Sequence, residues 1–224
     1  MDARTTRQGL MAALCVGLLA IAVAFATHAS DTVSAAPADT ARITAAELAA
    51  GPRFAASVSP GDRAWIEAAV AAARPEAQAL IAKVDGLIEY RTVPGGEPLG
   101  VTQSSFRGDV ASFTIDLNIG QLDGRRVQDR DVVVLHELGH AIDHALVPRA
   151  MNEALDAGIP RDGPCVQGSV GPTGSCAPPA ERFADTFAKW ALRGSVSALG
   201  AGYGIPNPAS LEDWGAPLVP LGSS

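Results

Sequence analysis

Three of the four histidines in this chain fall within one stretch, VVVLHELGHAIDHAL, Val132–Leu146. The fourth, His28, lies more than a hundred residues away. Apolar residues in the stretch recur with helical spacing. Taking His136 as zero and about 100° per residue, His140 falls at about 40°, His144 at about 80° and Glu137 at about 100°. Val134, Leu135, Leu138, Ala141, Ile142, Ala145 and Leu146 fill the opposite arc. One side of this helix must be buried, and the other is built largely from imidazoles and carboxylates. A solvated helix face usually carries lysine or arginine paired with glutamate one turn away. This face carries neither base. The fold must therefore bring a second, complementary element against it.

The spacing H-E-x-x-H supplies a chemical reason. Two imidazoles one turn apart can converge on a single metal ion, and the glutamate beside the first reaches the same cleft. Zn²⁺ favours such nitrogen ligands together with one carboxylate, leaving a position for water. The metal makes the water acidic, and Glu137 is placed to take its proton. His144 lies about 6 Å further along the helix axis than His140, too far to share one ion with the pair. It is expected to line the cleft. Asp143 stands where a metzincin would have glycine, which excludes that pattern.

The third ligand must come from elsewhere, and ERFADTFAKW offers one. On that helix Glu181 falls within an arc that includes Phe183, Phe187, Ala188, Trp190 and Leu192. A carboxylate facing inward is costly unless something pairs with it, and a zinc ion would do so. Asp185, one turn on, sits at the edge of the arc. It is placed to accept a hydrogen bond from the far nitrogen of a ligating histidine. Both acids also suit the positive end of a helix dipole. Arg182, Thr186, Lys189 and Arg193 cluster on the opposite side.

HELGH followed by E-x-F-A-D-x-F resembles the gluzincin zinc metallopeptidases, particularly their small, lethal-factor-like branch. The resemblance spans roughly Val110 to Arg193. It implies that His136, His140 and Glu181 are the metal ligands, Glu137 the general base and Asp185 the supporting carboxylate. It also implies an α+β, zincin-like domain: a small antiparallel sheet, an active-site helix and a second helix carrying the third ligand. In such enzymes the strand before the first helix, here VASFTIDLN, binds an extended peptide by strand addition. Two departures stand out. The stretch from His140 to Glu181 is long and contains both remaining cysteines. The tyrosine or histidine that stabilises the oxyanion has no obvious counterpart; Tyr203, His144 and Arg182 are the candidates.

The rest of the chain fits one domain with extensions. Arg4 and Arg7 precede the uncharged run Leu10–Ala26, and Ala24-Phe25-Ala26 fits a cleavage site. Residues 1–26 read as a secretory signal peptide, so the membrane enters only if that segment stays uncleaved. Residues 27–58, rich in Ala, Thr, Ser, Asp and Pro, read as a linker or propeptide. Residues 59–224 form the catalytic domain. Helices are expected from Ser59-Pro60 and from Pro75, then strands at LIEYRTV, GVTQSSF and VASFTIDLN joined by tight turns. Pro148 ends the histidine-bearing helix, Gly194 ends the second, and the tail reads as an irregular extension.

Alanine-rich composition with only two lysines, Lys83 and Lys189, suits a high-GC bacterial genome. A net charge of −7 with no basic stripe argues against nucleic acid as a partner. Cys165 and Cys176, an even pair in an exported chain, are expected to form a disulfide. The sequence thus points to a secreted or cell-surface, monomeric zinc metallopeptidase acting on peptides or proteins. An exported zinc-binding interaction protein and a cell-wall zinc amidase are the alternatives.

Overall fold

The computed structural model describes residues 51–95, 98–107, 110–122, 130–168, 171–196 and 204–223. The expected signal peptide, and the linker as far as residue 50, lie outside the described residues. Helix α1 (Pro60–Ala72) begins where its signals place it. Ser59 Oγ accepts from the Asp62 N–H at 3.1 Å, and Pro60 occupies the first turn. Helix α2 (Pro75–Val84) runs into a single 3-10 turn, Asp85–Leu87. Ile66 and Ala69 of α1, and Ala77, Leu80, Ile81 and Val84 of α2, are buried.

Strands β1 (Arg53–Phe54), β2 (Ile88–Val93), β3 (Gly100–Arg107) and β4 (Val110–Asn118) form one sheet in the order β1-β2-β4-β3. An all-antiparallel sheet was expected from the three strands and their turns; the sheet is mixed. Only β3 and β4 form an antiparallel hairpin, while β2 runs parallel to β4 and β1 parallel to β2. Burial explains the order. β4 alternates Phe113, Ile115 and Leu117 inward, and all three are at most 1% exposed. β3 offers Gly100, Thr102 and Ser104 at the facing register positions. The more apolar strand takes the centre, and the polar one takes the edge. The sheet also begins inside the segment read as linker: Phe54 pairs in register with Tyr90 and stacks on its ring at 5.3 Å.

Helix α3 (Arg130–Leu146) crosses the inner face of the sheet and packs against α1, α2, β3 and β4. Helix α4 (Arg149–Ala157) follows Pro148 directly. A small hairpin, β5 (Cys165–Gly168) and β6 (Gly171–Gly174), leads to α5 (Pro179–Ala191). The expected disulfide is present: Cys165 is bonded to Cys176, with Cα atoms 5.1 Å apart, tying the hairpin to the segment that enters α5. The tail is more regular than its prolines suggest. It forms α6 (Leu211–Gly215), capped by Ser210, and α7 (Val219–Ser223), which packs on α2. Trp214 anchors it, donating from Nε1 to the Leu155 carbonyl at 3.2 Å.

Asp85 is a liability that this packing creates. Burial pushes its carboxyl up to about 6. An acid with a raised folded-state pKa binds more protons in the native chain than in the unfolded one, so stability falls as pH rises between about 4 and 6. Asp85 is half-buried, so solvent screening discounts the full linkage value. Asp85→Asn is expected to stabilise the fold by about 1 kcal/mol at pH 7 and by nothing at pH 4. Paired thermal melts of variant and wild type at the two pH values check this. An equal shift at both would show that ionisation is not the cause.

Candidate metal centre

Around His136 both sides of α3 are buried, while one turn and more further on His140 is half-buried and His144 exposed. Val134, Leu135, Leu138, Ala141 and Ile142 are inaccessible, while His136 and Glu137, on the polar arc, are only 5% and 4% exposed. A solvated polar face is thereby excluded, and these groups need partners. Helix α5 and strand β3 supply them.

The approach of α3 to α5 is set at Gly139. A Cβ there would lie 2.9 Å from the Ala184 Cα, closer than packed carbon atoms tolerate. Glycine against alanine lets the two backbones meet. His136 and His140 flank Gly139 on one helix, and Glu181 precedes Ala184 by about one turn on the other. The contact therefore brings the three side chains together. Glu181 Oε2 lies 3.1 Å from His136 Nε2 and 3.5 Å from His140 Nε2. The imidazoles meet edge to face, with centroids 4.9 Å apart. One ligand atom from each of the three residues lies within 4.8 Å of the others, a group able to hold a metal ion.

The electrostatics suit a cation. Burial would raise the Glu181 carboxyl, but the hydrogen bonds and charges of His136 and His140 outweigh it and hold the group well below the usual carboxylate range. Burial likewise disfavours a charged His136, and is overcome by Glu181, Glu137 and Asp185. The site thus gathers three carboxylates around two imidazoles.

Asp185 is 1% exposed, and its Oδ2 lies 2.6 Å from Lys189 Nζ. The sequence suggested that Asp185 accepts a hydrogen bond from the far nitrogen of a ligating histidine. Its carboxylate lies against an ammonium on its own helix, and its charge acts on His136. Lys189 also donates to the Ile205 carbonyl at 2.6 Å. The supposedly outward side of α5 is in fact its anchorage: Arg182 and Thr186 are wholly buried and Lys189 nearly so. Arg182 donates from Nε to Asp156 Oδ1 at 2.7 Å and from Nη2 to the Ile159 carbonyl at 2.7 Å. These bonds lock α5 to the end of α4. They also remove Arg182 from the oxyanion candidates, because its guanidinium is held against α4, wholly buried, and does not line the cleft beside the cluster. Tyr203 lies outside the described residues.

A cleft of about 340 Å³ opens over the cluster. Glu137, His140, His144 and Glu181 line it from the helices, and Gly100, Thr102 and Ser104 line it from β3. VASFTIDLN was expected to receive a peptide strand. It cannot, because β4 is paired on both sides. The sheet edge beside the cleft belongs to β3, which pairs only with β4 among the described residues. Sequence reading passed over Gly100 and Thr102. Their signal was a row of small and hydroxyl residues in a strand paired with one whose facing row, Phe113, Ile115 and Leu117, is apolar.

No family model, no curated protein and no solved structure matches this chain.

Proposed function

We propose that the chain is an exported zinc metallopeptidase of the gluzincin type. The observation that carries the reading is the convergence of His136, His140 and Glu181 beside Glu137, within a cleft bordered by a sheet edge. The donor set fits zinc. Tetrahedral bonds of about 2.0–2.1 Å place ligand atoms roughly 3.3 Å apart, and the two contacts to Glu181 Oε2 measure 3.1 and 3.5 Å. A purely structural site is normally closed by four protein ligands, and it has no use for a carboxylate such as Glu137 beside it. The disulfide and the apolar N-terminal segment support export to an oxidising compartment.

A bound zinc ion supplies Lewis-acid activation of water and of the substrate carbonyl. The protein does the remaining work. His136, His140 and Glu181 hold the ion from two helices fixed by the Gly139–Ala184 contact. An extended peptide adds to the β3 edge, which sets its scissile bond across the cleft. Glu137 takes the proton from the attacking water and passes it to the leaving amine. Of the oxyanion candidates among the described residues, His144 is the one that lines the cleft, and it is assigned to donate to the developing oxyanion.

Elemental mass spectrometry on the mature chain is expected to find one zinc ion per chain. Incubation with a mixed peptide library is expected to give cleavage that a chelator abolishes and added zinc restores. A chain that takes up no zinc after loading would remove the reading. One that binds zinc without cleaving any peptide would return the protein to a binding role.

A further inference from the structure

On the peptidase reading above, we infer that Thr102 is a positioning residue for the general base, holding the Glu137 carboxylate against strand β3. Thr102 Oγ1 lies 2.8 Å from Glu137 Oε2 and 2.9 Å from the Glu137 carbonyl oxygen. A hydroxyl has one proton to give. The carbonyl sits inside α3, where the helical ladder already supplies an N–H donor. The carboxylate is the stronger acceptor, and it is nearly removed from water. The Thr102 proton therefore goes to Oε2.

Gly100, two residues earlier on the same face of β3, makes room for this arrangement. A Cβ at position 100 would lie 2.5 Å from Glu137 Oε1 and 2.7 Å from its Cγ. No side chain fits there while Glu137 keeps its place. Gly100, Thr102 and Ser104 sit opposite Leu117, Ile115 and Phe113 in the hairpin register. A strand row facing a core is ordinarily apolar, as its neighbour is. The exception falls beside Glu137, and such local departures mark function more often than error. The consequence is that β3 carries both the edge offered to substrate and the hydroxyl that aims the base.

The test needs no substrate. The mature chain is loaded with Co²⁺ and titrated with acetohydroxamate, followed by the visible absorption of the metal. This probe surrenders its hydroxyl proton as it binds, so a neighbouring carboxylate strengthens it. Wild type is compared with Thr102→Val, Thr102→Ser, Glu137→Gln and the Thr102→Val/Glu137→Gln double variant. Thr102→Val is expected to bind the probe roughly tenfold more weakly, the scale of one hydrogen bond to a charged group. Thr102→Ser should stay within about twofold, since it keeps the hydroxyl. In the Glu137→Gln background the valine change should add nothing, because Thr102 acts through Glu137. Cobalt stoichiometry and melting temperature should match wild type throughout, and Thr102→Ala replaces the valine variant if that one melts early. Unchanged probe affinity in Thr102→Val, or an equal loss with and without Glu137, would overturn the inference while leaving the metal site standing. A wild-type chain that binds no cobalt would overturn both together.

Discussion

Glu181→Ala should lose the metal. The affinity for zinc is expected to fall by at least about a hundredfold, beyond what loss of a supporting residue alone costs. Removing Glu181 takes away the only ligand that α5 contributes to the cluster and leaves two imidazoles from one helix. It also removes the sole anion in the set. That anion is secure at neutral pH, because its neighbours hold it well below the ordinary carboxylate range. Zinc binding should raise the melting temperature of the wild type, since a ligand bound only by the native state stabilises it in proportion to the logarithm of its concentration over Kd. The variant should show little of that shift at the same zinc concentration. Without metal the two proteins should melt alike to within a few degrees, because α5 is anchored separately by Arg182 and Lys189. Full zinc occupancy in the variant would mean that another group completes the site.

Much of this centre was legible in the sequence, and the limits of legibility have physical causes. The histidine helix announced itself because periodicity, spacing and residue type coincide within a few turns. Glu181 stood out because a carboxylate in an apolar arc needs a partner. Helical wheels report direction along one element only, however. They placed Arg182, Thr186 and Lys189 on the side opposite the apolar arc, whereas α5 is enclosed all round, and Arg182 and Lys189 tie it to α4 and the tail. Strand pairing was the larger miss. Sequential strands with tight turns suggest a meander, but the non-local pairing of β2 with β4 leaves no local trace. That one difference moved the exposed edge from VASFTIDLN to GVTQSSFR, and with it the expected surface for a substrate strand. Gly100 and Gly139 were equally silent. A glycine required by close approach looks, in sequence, like any other, and its reason appears only when the opposing Glu137 or Ala184 is in place.

Glu137→Gln separates chemistry from architecture. Glutamine keeps the length and shape of the side chain, so it still fits above Gly100, and its amide oxygen can still accept from Thr102. It cannot take a proton from water at neutral pH. Glu137 lies outside the group formed by His136, His140 and Glu181, so the metal should remain at wild-type stoichiometry. Peptide hydrolysis should fall by about a thousandfold or more, toward the upper end of what general acid–base catalysis contributes. The loss should appear in kcat, because an interaction made only as the proton moves does not hold the ground state. Zinc content and peptide cleavage measured on one preparation make the distinction. Zinc retained with cleavage abolished assigns the proton transfer to Glu137. Zinc and cleavage both retained would take the base away from Glu137 and turn attention to His144, the remaining titratable side chain lining the cleft that is not one of the three ligands.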